Sequence, residues 1–261
     1  MAPLKKLLLI NPNSSKTMTD GLEPLIKDLS EQGINQTFEI VTYTAPSGPP
    51  SINNEDDAHD TAMICIADLN TKLSQYDAFL VACYSVHPLV TMLKSRVPPH
   101  VHVTGIFEAS ITTSLSLLPK PRAGAGSNEN VYEKFGIVST GTYWEEALSN
   151  GVLDFMGIDE LKNCHRFKGV QTTGLNADEL HTAPAELVRT KMIEATKRLV
   201  KDRDVRVICL GCAGMAGMDD TVQEALVEEL GEAAAKKVYI VDGVKVGIGL
   251  LESLVRALPK K

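Results

Sequence analysis

Val205-Arg206-Val207-Ile208-Cys209-Leu210-Gly211-Cys212-Ala213-Gly214 is the stretch whose reading decides the fold. Its first six residues are apolar or β-branched with one exception and stop at glycine. That is the length and composition of a strand buried on both faces, as parallel sheets require. A second stretch, Ala78-Phe79-Leu80-Val81-Ala82-Cys83, has the same form and also ends on cysteine. Similar runs lie at Leu7–Ile10, Phe38–Tyr43, Val101–Ile106, Phe135–Ser139, Phe167–Gln171 and Val238–Val241. Helical periodicity occupies Thr17–Leu29, Ala183–Lys201 and Asp219–Ala235, the last opening with two acids in its first turn. Strands alternating with helices predict an α/β fold of parallel sheets flanked by helices.

The spacing of these runs repeats. Strand starts at 5, 38 and 78 are 33 and 40 residues apart, and those at 135, 167 and 205 are 32 and 38 apart. Two similar units follow, each with a mostly parallel sheet of about four strands, and a site in the cleft between them. Pro119–Asn130, rich in Pro, Gly and polar residues, reads as the hinge. The first unit is expected over residues 1–115 plus about 222–261, with the last strand and helix crossing back. The second is expected over about 116–221.

Composition narrows the function. The 261 residues carry a net charge of −7 and no basic stripe, which excludes the electrostatics of a nucleic-acid binder. No run approaches the roughly 20 apolar residues of a membrane helix, and the short Leu7–Ile10 run does not read as a signal peptide. A cytoplasmic protein is expected. Its five cysteines, odd in number and scattered, are expected as free thiols.

In open parallel sheets, ligands bind beyond the carboxyl ends of strands. The residues there are Asn11-Pro12-Asn13-Ser14-Ser15, Cys83-Tyr84-Ser85, Ser139-Thr140-Gly141-Thr142 and Gly211-Cys212-Ala213-Gly214. Cys83 and Cys212 each end the third strand of their own half, so two facing halves bring two thiols to one cleft. Inverting a carbon stereocentre by proton transfer needs a base on one face and an acid on the other, and two cysteines supply both. Placed before helices, both thiols are expected to have lowered pKa values. Gly141, Gly211 and Gly214 leave room for close backbone approach.

The plainer alternative is that any single buried cysteine is core. Cys65, Cys164 and Cys209 are assigned to it. Cys209 and Cys212, three apart, point to opposite faces of a strand, and no second pair at zinc spacing exists, so no metal is expected. No dinucleotide or P-loop motif is present and no cofactor is expected. His87 and Glu108, each just past a strand end, are equally readable as ligand contacts or helix starts. His59, His100, His102, His165 and His181 read as surface or loop residues. Ser14, Ser15 and Ser139 are also readable as helix caps.

Asn11-Pro12-Asn13-Ser14-Ser15, Ala82-Cys83, Gly105-Ile106-Phe107-Glu108-Ala109, Phe135-Gly136-Ile137-Val138, Leu210-Gly211-Cys212-Ala213-Gly214-Met215 and Val241-Asp242-Gly243-Val244 occur in this order. Together they resemble the hydantoin and allantoin racemase branch of the aspartate/glutamate racemase superfamily, over nearly the whole chain. The resemblance implies a two-unit α/β architecture, one catalytic cysteine from each unit and no cofactor. Cys83 and Cys212 match the two cysteine motifs. Asn13, Ser85, Ser139, Thr140, Ala213 and Gly214 match substrate-contact positions. Many bacterial hydantoin racemases have an aromatic residue and then Gly-Asp after the first cysteine. Tyr84-Ser85-Val86-His87-Pro88 here looks more like the fungal branch, associated with allantoin or nitrogen catabolism. Ala213-Gly214 after Cys212 departs from the Cys-Thr-His of amino-acid racemases.

The resulting expectation is racemisation at C5 of a 5-substituted hydantoin, with allantoin a candidate, by a homo-oligomer acting on a small ring. Two alternatives remain open. One is another cysteine-dependent isomerase or decarboxylase of the superfamily. The other is a metabolite-binding regulatory protein with the same cleft.

Overall fold

Leu7, Leu8, Leu9 and Ile10 are almost wholly buried, as a strand covered on both faces must be. In the computed structural model, which describes residues 4–31, 33, 37–123 and 130–258, they form the centre of strand β1 (Lys5–Asn11). The first unit continues through helices α1 (Lys16–Asp20) and α2 (Glu23–Glu31), β2 (Phe38–Thr44), α3 (Glu55–Leu69), β3 (Ala78–Val81), α4 (Pro88–Lys94), β4 (His102–Gly105) and α5 (Ile106–Leu117). Its sheet is parallel, in the order β2-β1-β3-β4.

A short antiparallel pair, β5 (Arg122–Ala123) with β6 (Asn130–Val131), lies in the expected hinge, and residues 124–129 lie outside the described residues. The second unit runs β7 (Lys134–Ser139), α6 (Tyr143–Met156), β8 (Phe167–Thr172), α7 (Glu179–Thr182), α8 (Ala185–Val200), β9 (Val205–Gly211), α9 (Asp219–Leu230), α10 (Glu232–Ala235), β10 (Tyr239–Asp242) and α11 (Gly243–Ala257). Its parallel sheet has the order β10-β9-β7-β8. Counted within each unit, both sheets run 2-1-3-4, so the repeated spacing in the sequence corresponds to a repeated topology.

The helical stretches are cut where the sequence demands it. Pro24 lacks an N–H and its ring would strike the carbonyl of Asp20, so Thr17–Leu29 divides into α1 and α2, with Pro24 in the tolerant first turn. Gly231 at φ +83° separates α9 from α10.

The last strand differs from expectation. It pairs with β9 as the fourth strand of the second sheet and does not return to the first. Its helix does reach across. α11 packs on α5 and on β3 and β4, while α5 contacts β9 and β10. The helix that follows each fourth strand is thus shared between the two sheets. One hydrophobic core accordingly runs through Leu80, Ile106, Phe107, Ile137, Cys209, Val241, Val244 and Ile248, with a separate core on the outer face of each unit.

The α5–α11 contact depends on glycine. A Cβ at Gly243 would lie 2.9 Å from both the Cβ and the carbonyl oxygen of Ile106, and backbone cannot give way. Gly243→Ala is expected to lower stability by about 1–3 kcal/mol, the usual cost of overpacking. Gly249, on the same helix with open space where its Cβ would be, serves as control. Gly249→Ala should stabilise by roughly 0.5–1 kcal/mol through helix propensity. Urea unfolding of both variants checks the opposite signs.

Candidate active site

Strand β1 ends in a polar turn held by its own amides. Asn11 Nδ2 donates to Asn13 Oδ1 (2.9 Å), the Ser15 carbonyl (3.0 Å) and Thr19 Oγ1 (3.0 Å). Asn13 Oδ1 also accepts the Ser15 N–H at 2.9 Å, and Ser15 caps α1. Asn13 is thereby fixed with its own Nδ2 turned to the Met18 thioether, 3.2 Å away. Sulfur is a weak acceptor, so this N–H remains available to a stronger one.

Cys83 lies two residues beyond β3, and Cys212 directly follows β9. Both line one cavity between the units, together with Asn11, Asn13, Thr140 and Trp144. The cavity volume is about 40 Å³, room for roughly three waters. An outer groove of about 570 Å³ lies alongside, with Trp144 in the wall of both.

The residues singled out from sequence fall into three groups. Asn13, Thr140, Ala213 and Gly214 line the cavity with the two cysteines. Ser85 is buried behind Cys83, its Oγ 3.4 Å from the thiol sulfur, and borders the outer groove. Ser139 does not line the cavity. Its hydroxyl donates to the Gly211 carbonyl at 2.8 Å, tying β7 to the end of β9.

Several other expectations resolve. Cys65 and Cys164 are buried, as is Cys209, whose sulfur is 3.1 Å from Ser114 Oγ. His87 is a helix start: Nδ1 accepts the Leu89 N–H at 3.3 Å, and burial pushes its pKa down to about 4, leaving the ring neutral. Glu108 opens α5 with Oε2 buried and unpartnered, and desolvation raises its pKa. Asn11, read from sequence as part of the turn after the first strand, also lines the cavity, and Trp144 is a lining residue that sequence reading did not single out. Trp144, the single tryptophan, follows Ser139-Thr140-Gly141-Thr142 by two residues, a position that was legible.

The expected lowering of the thiol pKa values is not found. Burial pushes Cys83 up to about 12 against the lowering effect of its contact with Ser85, and the nearby Cys212 and Glu108 raise it further. Burial likewise pushes Cys212 up to about 11, although the N–H groups of Gly214 and Met215 oppose it. The physical reason is local. Cys83 is followed by a loop, with α4 beginning only at Pro88, and Cys212 is followed by a single 3₁₀ turn, Ala213–Met215. Neither supplies the dipole of a full helix to offset desolvation.

The family described as Asp/Glu/hydantoin racemase matches residues 7–251. An uncharacterized protein of Schizosaccharomyces pombe is 34% identical over 253 residues, covering 96% of this chain and 92% of its own. A hydantoin racemase of a Pseudomonas species (strain NS671) is 25% identical over 251 residues, covering 96% of this chain and 86% of its own. The crystal structure of an allantoin racemase from Pseudomonas fluorescens superposes with a TM-score of 0.73 at 22% identity, covering 97% of this chain and 91% of that one.

Two measurements follow. With both thiols raised, iodoacetamide labelling of Cys83 and Cys212 in the free protein should quicken about tenfold per pH unit from 7 to 10, as thiolate accumulates. A plateau below pH 9 in peptide-resolved mass spectrometry would contradict the buried-thiol description. Ser139→Ala strands the buried Gly211 carbonyl and should cost about 1–3 kcal/mol in chemical unfolding.

Proposed function

Because the chain belongs to the Asp/Glu/hydantoin racemase family, we propose that it racemises a 5-substituted hydantoin at C5, allantoin being one such ring, by proton transfer through Cys83 and Cys212. The observation that carries this reading is the pair of thiols in one cavity, each beyond the third strand of its own sheet. A planar ring held between them presents one face to each sulfur.

In the proposed reaction a thiolate takes the C5 proton and becomes a thiol. The electron pair moves into the adjacent carbonyl as an enolate. The opposite thiol gives its proton to the other face of C5 and is left as thiolate. Protons balance and no redox partner is needed. The Asn13 Nδ2–H, opposed only by Met18, is placed to donate to a ring carbonyl as charge develops. The cavity walls carry no Arg or Lys, which suits an uncharged ring better than a dicarboxylate. A cavity of about 40 Å³ is too small for the whole ring, and the adjoining groove of about 570 Å³, which shares Trp144 with it, offers the remaining space.

The test is the decay of optical rotation of enantiopure allantoin and several 5-alkylhydantoins in D₂O, with NMR at C5. Wild type should show decay with deuterium incorporation. Cys83→Ala and Cys212→Ala should each lose racemisation by at least 10²-fold, about what general acid–base catalysis contributes. Below pH 10 the rate should climb with pH, since the base is a thiol whose pKa burial raises to about 11 or 12. Absence of both decay and exchange on every ring, with tight binding intact, would instead indicate a metabolite-binding protein built on this cleft.

A further inference from the structure

We infer that His181 is the proton port of Cys212, passing protons between that half-buried thiol and solvent; the inference rests on the two-thiol reading above. His181 belongs to the short helix α7 and is exposed. A Cβ built on Gly214 would stand 2.9 Å from His181 Nε2 and 3.6 Å from Cys212 Sγ. Both atoms lie close to one point, so their separation cannot exceed the sum of those distances, within reach of a short water bridge. A side chain at Gly214 would occupy this gap. On its other side the ring reaches the first unit, with Cε1 3.9 Å from the Cβ position of Gly21, between α1 and α2. The imidazole therefore sits across the seam of the two units, with solvent on one side and Cys212 on the other. The His181 N–H donates to the Asp178 carbonyl at 3.1 Å, which anchors the backbone there.

Among the described residues no histidine is found in an equivalent place beside Cys83. Its polar neighbours are the Ser85 hydroxyl and the Glu108 carboxyl. The nearest histidine in sequence, His87, has Nδ1 on the Leu89 N–H and Nε2 3.3 Å from Thr61. The charged groups on the elements beside His181 are Asp178 and Glu179 of its own segment, Glu186 and Arg189 of α8, and Asp20 and Glu23 next to Gly21. Asp20 pairs with Lys16, Glu179 accepts the Asn176 N–H, and Glu186 and Arg189 pair with each other. The 3₁₀ turn Ala213–Met215 adds no charge.

The chemistry requires such a port. Before turnover one thiol in a narrow cavity must lose its proton. After turnover the thiolate has moved to the opposite cysteine, and the protons must be redistributed before the same enantiomer can react again. Through His181, Cys212 S–H gives its proton by way of water to Nε2, leaving a thiolate, and the imidazolium releases a proton to bulk. Reset after a turnover that leaves Cys212 protonated repeats this step, while the Cys83 thiolate takes one proton from water in the cavity. Cys212 is then the thiol in communication with solvent, and it acts first as base.

The experiment is the kinetics of His181→Asn and His181→Gln on whichever 5-substituted hydantoin the wild type racemises, in D₂O, with and without imidazole buffer. A port that limits reset predicts a kcat lowered about tenfold or more with kcat/KM much less affected. It also predicts recovery of kcat in proportion to added imidazole. Less deuterium should enter in the direction that uses Cys212 as acid, because a thiol cut off from solvent returns the protium it took. Wild-type kcat and deuterium content in both variants would overturn the assignment. So would a loss of activity that imidazole does not restore, which is the mark of structural damage. A wild type that exchanges no hydantoin proton removes the racemase reading itself, an outcome distinct from an active wild type with indifferent His181 variants.

Discussion

The contact between α5 and α11 is the constraint on which the rest of the molecule depends. Each helix follows the fourth strand of its own sheet, yet each also covers strands of the other sheet. With Gly243 against Ile106, the two backbones meet without intervening side chains. That close approach fixes the angle and distance between the two sheets, and so determines where the ends of β3 and β9 point. Ile106 and Gly243 directly follow β4 and β10, one strand over from the ends of β3 and β9, so this contact lies level with the cavity that Cys83 and Cys212 line. Closely packed interiors transmit such geometry because they deform little.

The same closure sets the electrostatics. A cavity that admits a few waters withholds solvation from any charge formed there, and both thiols are therefore held in their neutral form. For the proposed two-thiol reaction this has a use. A thiolate that is poorly solvated is a stronger base toward carbon acid than one stabilised by a helix dipole. The cost is that such a thiolate is hard to generate, which places a premium on any group that can exchange protons with water. The Glu108 carboxyl, with Oε2 buried and unpartnered at the start of α5, adds to the unfavourable environment for negative charge at Cys83.

Much of this was legible in the sequence. The strands were readable because parallel sheets demand short, continuous apolar runs, and both cysteines could be placed at strand ends by position alone. The equal spacing of the two halves corresponds to the shared 2-1-3-4 order. The partner of β10 was not legible, because Tyr239–Asp242 carries the same apolar signature whichever sheet it joins. The thiol environment was not legible either. A helix start can be guessed from neighbours in sequence, but desolvation comes from Trp144, Leu22 and Ile52, which are distant in the chain. Ser139 illustrates a third limit: a hydroxyl at a strand end has the same sequence signature whether it meets a ligand or, as here, the Gly211 carbonyl.

The reach of α11 back to the first unit also bears on how the molecule is made. Gly247 of this helix packs directly on Leu80 of β3, so the inner face of the first sheet, although α2 and α5 already contribute Leu25, Leu29 and Ile111 to the same core, stays incompletely covered until α11 has been made. A ribosome delivers the first unit early, but that unit lacks part of its cover for most of synthesis, and contacts so remote in sequence form slowly. The half that is translated first is the half that completes its core last.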